Sequence, residues 1–200
     1  MTLTIYGSPR SRTMRVLWTA AELGLAYQHV PLAFDDPALK SSWFLKLNPA
    51  GAIPTIDDDG YALSESLAIN LYLAKRYGLG VLYPVSPEDE ALVWRWSLWA
   101  QGHLEPWVQQ DALLAQMRAA MGDHAKAAIA KALAQLDDAL AEGDWLVAGA
   151  FSVADLNVAA VLSPSRIRHL DLTTFAKVAA WLARCYGRPA ARETRRRFDG

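Results

Sequence analysis

The hydrophobic pattern of this chain changes character near residue 80. Before that point, short alternating runs interleave with runs of helical period. Thr2-Leu3-Thr4-Ile5-Tyr6 alternates and is rich in β-branched residues, which predicts a strand. Gly7 to Ser11 interrupts it. From about Thr13 the apolar positions Met14, Val16, Leu17, Ala20 and Ala21 follow helical spacing, with Gly24 as the stop at a C′ position. Tyr27 to Leu32 is a second strand, and its Pro31 predicts an edge or a strand end. Asp35 to Leu47 holds a weaker helix carrying Leu39, Trp43, Phe44 and Leu47. Pro54-Thr55-Ile56 and Tyr61-Ala62-Leu63 read as two arms of a hairpin that turns through Asp57 to Gly60, with positive φ at Gly60. Ser64 is the expected N-cap of the next helix, which places Glu65 and Ser66 in its first turn and buries Leu67, Ile69, Leu71, Tyr72 and Leu73. The element order is β-α-β-α-β-β-α.

Gly78 to Pro87 is rich in turn formers and lacks helical period, so it reads as a linker. Beyond it the pattern is helical. Ser86 as N-cap, Pro87 at the first helical position and Glu88-Asp89 in the first turn form a strong start signal. That helix carries Leu92, Trp96, Trp99, His103 and Leu104; it is expected to bend at Pro106 and run on to about Met121. Another spans about His124 to Ala141. Ser152 and Asp155 have capping-box spacing, with Phe151 and Leu156 as the hydrophobic staple. A last helix is expected over about Thr174 to Tyr186, with Arg195-Arg196-Arg197 in a solvated tail. The predicted organisation is an α/β domain over 1–78, a linker over 79–87 and an all-helical domain over 88–200.

Charge narrows the classes of partner. Twenty basic and 21 acidic residues leave a net charge of -1, and the first 78 residues hold seven of each sign, so no field favours nucleic acid or an anionic membrane. The N-terminus lacks a basic-then-apolar signal pattern and no apolar run reaches 18 residues, which makes a cytoplasmic protein the expectation. The one cysteine, Cys185, excludes an internal disulfide and a Cys-x-x-Cys centre; in its apolar run it reads as a buried, inert thiol. His29, His103, His124 and His169 have no ligand spacing, so no metal is expected. Trp94, Trp96, Trp99 and Trp107 read mainly as core, with one face available to line an apolar pocket.

The richest chemistry lies between Asn48 and Ser66. Proline is the residue at which a cis peptide is cheap, and a cis Ile53-Pro54 bond would turn the N–H and C=O of Ile53 outward, towards the backbone of a ligand. The helix start at Ser64 to Ser66 offers N–H groups with partial positive charge to a carboxylate, and Glu65 offers an acceptor to an ammonium. A backbone ladder, a carboxylate site and an amine site together match one end of a γ-glutamyl peptide.

Asn-Pro-x-Gly-x-Ile-Pro over Asn48 to Pro54, followed by Glu65-Ser66, resembles the glutathione site of the cytosolic glutathione S-transferase family. The resemblance covers nearly all of the chain. It implies a thioredoxin-like N-terminal domain with an all-helical C-terminal domain, a homodimer, and glutathione as co-substrate for attack on a small hydrophobic electrophile. In such enzymes the reactive group is the thiol of glutathione. A thiol of pKa about 8.5 is only a few per cent ionised at neutral pH; lowering it by about two units gives roughly three quarters thiolate and takes about 2.7 kcal/mol.

Ser11-Arg12-Thr13-Met14-Arg15 is similar to the serine-type members of the theta kind, in which a serine stands four residues before an arginine. The resemblance implies that Ser11 donates its proton to the sulfur. Ser8, in the same loop, and Tyr6, which resembles the tyrosine of the alpha, mu and pi types, are the alternatives, and a plain N-cap is the structural reading of Ser11. Lys40 falls where plant-type relatives hold the glycyl carboxylate, and Ala52 stands where many relatives carry lysine or glutamine. Ile53, Pro54, Glu65 and Ser66 complete the implied glutathione site; Arg10, Trp99, His103 and Trp107 are the implied electrophile pocket. The alternatives are a glutathione-dependent isomerase or peroxidase using the same site, and a non-catalytic interaction module on the same scaffold.

Overall fold

The computed structural model describes residues 2–108, 116, 119–168 and 170–198. Two compact units are present: residues 1–83 with 187–200, and residues 84–186. The expected helix to Met121 is cut by residues 109–115 and 117–118, which lie outside the described residues, as does His169.

The first unit is a four-stranded sheet with helices on both faces. Its strands are β1 (Leu3–Tyr6), β2 (Tyr27–Val30), β3 (Thr55–Asp58) and β4 (Tyr61–Ser64), in the order β2-β1-β3-β4. β1 runs parallel to β2, with Ile5 opposite His29, and antiparallel to β3, with Tyr6 opposite Thr55. The edge place that Pro31 predicts is where β2 lies. Period-two alternation sorts the side chains by face. Leu3, Ile5 and Ile56 join Val16, Leu17 and Ala20 of α1 (Thr13–Glu22) and Ile69 and Leu73 of α3 (Ser66–Tyr77) in one core. Tyr6, Val30 and Ile53 pack on the other side with Leu32, Leu39 and Phe44.

Three boundaries differ from the sequence reading, each for a local reason. Ser64 is the last residue of β4, opposite Thr55, so it stays extended and the N-cap of α3 passes to Glu65. The hairpin turn narrows to Asp59 and Gly60, both at positive φ (52° and 89°), the two-residue geometry that matches strand twist; Asp57 and Asp58 stay in β3, and Asp57 Oδ1 accepts the Gly60 N–H at 2.7 Å. The expected helix over 35–47 is two pieces, a 3-10 turn at Pro37–Lys40 and α2 at Ser42–Leu47. Ser41 separates them with extended backbone, its hydroxyl donating to the Ala38 carbonyl at 2.5 Å and accepting from the Phe44 N–H at 3.4 Å.

The second unit holds α4 (Pro87–Trp99), a π-helical segment (Ala100–Leu104), α5 (Glu105–Val108), α6 (Asp123–Ala139), α7 (Val153–Val161), α8 (Pro164–Ile167) and α9 (Ala176–Gly187). The start of α4 is as read, with Ser86 Oγ accepting the Asp89 N–H at 3.1 Å. The irregularity precedes Pro106: a proline ring clashes with the carbonyl four residues back, here Gly102, and the wider turn lets the Glu105 N–H reach the Ala100 carbonyl. The Ser152/Asp155 capping box is present. Asp155 is buried, and its carboxylate also accepts from the Leu146 N–H and the Trp181 indole N–H, each at 2.9 Å; burial nevertheless pushes its pKa up. Cys185, the one cysteine of the chain, is buried.

The arginine-rich tail is helical. α10 (Pro189–Phe198) belongs to the first unit and packs along α1, rather than ending the helical domain as expected from sequence. Arg188, just before it, donates from Nε and Nη2 to the two carboxylate oxygens of Glu22 at 2.9 and 2.8 Å.

Candidate functional site

Gly7 opens the loop between β1 and α1, and no other residue fits there. Its φ is +133°, and an added Cβ would stand 2.2 Å from Thr13 Oγ1 and 3.0 Å from Ile53 Cβ. The loop then folds back on itself, with the Ser11 N–H bonded to the Ser8 carbonyl at 3.0 Å. Ser11 Oγ donates to that same carbonyl at 2.7 Å, accepts the Thr13 N–H at 3.0 Å and lies 2.8 Å from Thr13 Oγ1. Since the single Ser11 proton is directed at Ser8, the proton between the two hydroxyls belongs to Thr13. Two donors therefore converge on the Ser11 oxygen, which strengthens its own O–H as a donor. By backbone geometry the N-cap of α1 is Arg12, whose side chain makes no cap bond; Ser11 satisfies the start of the helix instead.

The other two hydroxyls sit differently. Ser8 Oγ accepts the Arg10 N–H at 3.3 Å. The Tyr6 ring lies against Trp43 and Phe44, each 5.9 Å away between centroids, and burial first and the Asp57 carboxylate second push its phenol up.

The first unit also carries the other residues read from sequence as an implied glutathione site. The Ile53-Pro54 bond is cis. Asn48, buried, shapes the segment before it: Nδ2 donates to the Ala52 carbonyl (2.9 Å) and to Thr55 Oγ1 (3.1 Å), and Oδ1 accepts the Ala50 N–H (3.0 Å). Gly51, at φ +59°, lets this loop pass close to the 3-10 turn, since a Cβ there would lie 2.9 Å from the Leu39 carbonyl oxygen. Lys40 ends that turn and is exposed.

Glu65 has φ +71° and ψ 109°, an unusual conformation for a residue with a Cβ and one that clusters at ligand sites. It stands exposed at the start of α3, and its carbonyl accepts the Ile69 N–H at 2.8 Å. Ser66, the next residue, is buried, and its hydroxyl accepts from Nη1 of the buried Arg15 at 3.2 Å. A helix N-terminus and a guanidinium thus lie together, an electropositive place for a carboxylate.

Sequence reasoning passed over two residues here. Thr13 gives no signal beyond a hydroxyl in a first helical turn. Arg15 entered only as a spacing marker for Ser11, although its reach to Ser66 joins α1 to α3. Of the implied electrophile-pocket residues, Arg10 is exposed in the first unit and the others belong to the second. There Trp99 is buried, edge-on to Trp96 at 5.1 Å, and donates its indole N–H to Gln135 Oε1 at 2.9 Å. His103 is exposed on the π-helical segment, and Trp107 lies 6.0 Å from His124 between ring centroids. Among the described residues, no three of His, Cys, Asp and Glu form a group that would hold a metal ion, and no helix is long and apolar enough to cross a membrane.

Comparison with known proteins supplies the context for this arrangement. Residues 1–75 match the family model described as glutathione S-transferase, N-terminal domain, and residues 95–189 match glutathione S-transferase, C-terminal domain. The chain is 31% identical over 195 residues to glutathione S-transferase D7 of Anopheles gambiae, covering 92% of this chain and 86% of that one. It is 31% identical over 208 residues to glutathione S-transferase 3 of Zea mays, covering 96% and 92%. Among solved structures, a delta-class glutathione transferase of Nilaparvata lugens superposes with a TM-score of 0.83 at 26% identity, covering 98% of this chain and 96% of that one.

Proposed function

The chain belongs to the glutathione S-transferase family, and we propose that it joins the thiolate of glutathione to small apolar electrophiles. The observation that carries this reading is the Ser11 hydroxyl, whose oxygen receives both the N–H and the O–H of Thr13. In the proposed complex Ser11 turns its proton from the Ser8 carbonyl to the sulfur, favouring the thiolate. One charge-assisted hydrogen bond contributes about 1.5–3 kcal/mol, the order needed to lower the thiol pKa by about two units.

The backbone of Ile53 pairs with the cysteinyl residue, Glu65 takes the γ-glutamyl ammonium, Ser66 and the start of α3 take its carboxylate, and Lys40 takes the glycyl carboxylate. Arg15 beside Ser66 supports the anion assignment, and the positive φ of Glu65 supports its place at a ligand. The reading includes a cytoplasmic homodimer, supported by the exposed apolar side chains of Leu92, Trp94 and Leu98 along α4; sedimentation at increasing concentration checks the dimer.

The test of the reaction is calorimetric titration with glutathione in two buffers of different ionisation enthalpy. Binding with net proton release near neutral pH is the expected result. Binding without proton release removes thiolate stabilisation from the proposal, and failure to bind removes the glutathione site.

A further inference from the structure

The loop that carries Ser11 is held from behind by a residue outside the glutathione site. His29 lies on the edge strand β2 and shares the sheet face of Tyr27, on the side of α1 and α10. Its Nε2 is 2.9 Å from the Gly7 carbonyl oxygen, and because a carbonyl only accepts, Nε2 carries the hydrogen. The other side of the same residue is fixed as well, since the Gly7 N–H donates to the Val30 carbonyl at 2.9 Å. Phe198 of α10 packs against the imidazole, with ring centroids 5.2 Å apart and planes at 81°. Gly7 in turn touches the two parts of the site that must agree in position, the Thr13 hydroxyl that polarises Ser11 and the side chain of Ile53.

We propose that His29 is a positioning residue for the thiol site: its Nε2–H holds the Gly7 carbonyl, and through it Thr13, Ser11 and Ile53, while Phe198 fixes the ring. The assignment to the thiol site rests on the reading of Ser11 given above; the hold on the loop does not.

Two substitutions separate the hydrogen bond from the packing. His29→Phe keeps an aromatic ring against Phe198 and removes the donor; His29→Gln restores an amide N–H near the place of Nε2. Amide hydrogen exchange in the ligand-free protein reports the loop directly, and thiolate ultraviolet absorbance of bound glutathione against pH reports the sulfur. In His29→Phe, exchange at Ser11 and Thr13 is expected to speed about fivefold, the weight of one neutral hydrogen bond, and thiol ionisation to move to higher pH. In His29→Gln both are expected to return towards the parent values. Unchanged exchange in His29→Phe, or a glutamine variant no better than the phenylalanine one, would overturn the proposal. If the parent protein itself leaves bound glutathione unionised, the transferase reading falls, and the exchange comparison still decides whether His29 holds the loop.

Discussion

If Ser11 serves the sulfur as proposed, Ser11 and Thr13 together set how strongly that hydroxyl donates. Ser11→Ala deletes the donor, so the bound thiol should ionise at higher pH and kcat/KM at neutral pH should fall about 10–100-fold, following a loss of about 1.5–3 kcal/mol. The KM for glutathione should change little, because the proposal assigns the hold on the peptide to Ser66, Ile53 and Lys40; the pH dependence of conjugation checks both. Thr13→Val keeps the Thr13 N–H on Ser11 Oγ and removes only the hydroxyl, so its loss should be smaller, about threefold to fivefold. Ser11 stands out in the sequence only through the resemblance of Ser11-Arg12-Thr13-Met14-Arg15 to serine-type members, whereas Thr13 is one hydroxyl among helical residues. A second residue-scale effect concerns alkali. Burial first, and then the hydrogen bond to the buried Asp58 carboxylate (2.8 Å), push the Tyr72 phenol up to about 12. A phenol whose folded pKa is raised favours the folded state while protonated, so this stability is complete below the ordinary value of 10.0 and is lost as pH rises from there to about 12. The Tyr77 phenol, which also donates to Asp58, shifts the same way. Urea denaturation from pH 9 upward should show declining stability over that window, and Tyr72→Phe should flatten the decline.

Elements that announce themselves by local chemistry were readable in advance, and those decided by distant packing were not. The Ser86-Pro87 start and the Ser152/Asp155 box are complete within four residues, so their meaning survives without a fold. The start of α3 misleads for the opposite reason: Ser64 has cap chemistry, but its pairing with Thr55 in the sheet keeps it in β4. The split at Ser41 depends on its hydroxyl bridging Ala38 and Phe44, and the π-helical segment on a carbonyl displaced by a later proline. Even the capping box was only half visible, because Leu146 and Trp181 complete the ring of donors around Asp155 from elsewhere in the chain. Asp155→Ala should therefore cost more than an ordinary cap, about 3–5 kcal/mol, since it leaves the buried N–H groups of Ser152 and Trp181 and the half-buried one of Leu146 without their acceptor. Ser152→Ala, which removes only the cap oxygen, should cost about 1 kcal/mol. Thermal denaturation of the two variants checks the ratio, and equal losses would mean that Asp155 acts as a cap alone.

At the scale of the whole molecule, the chain leaves the first unit at Pro84 and returns to it at Gly187, so the stability of the site-bearing unit depends on the last residues of the sequence. Arg196 and Arg197 are exposed, as expected of a solvated run, while Ala191 and Thr194 on the same helix are buried and Phe198 packs on the core of the first unit. Arg188 secures the return. The Glu22 side chain it meets is only 5% exposed, and its Oε1 also accepts the Trp18 indole N–H at 2.9 Å. Removing Arg188 would leave a buried carboxylate without its cation, a loss of about 3–5 kcal/mol, and removing Phe198 would add the cost of an emptied aromatic site. A chain ended after Gly187 should therefore lose hydrogen-exchange protection in α1 and in the Gly7 loop while α4 and α7 of the second unit keep theirs. Glu22→Gln in the full chain should recover part of that loss when combined with Arg188→Met, because a neutral amide no longer demands a cation. If the shortened chain instead keeps its protection in α1, then α10 is an appendage, and the first unit stands on its sheet, α1 and α3 alone.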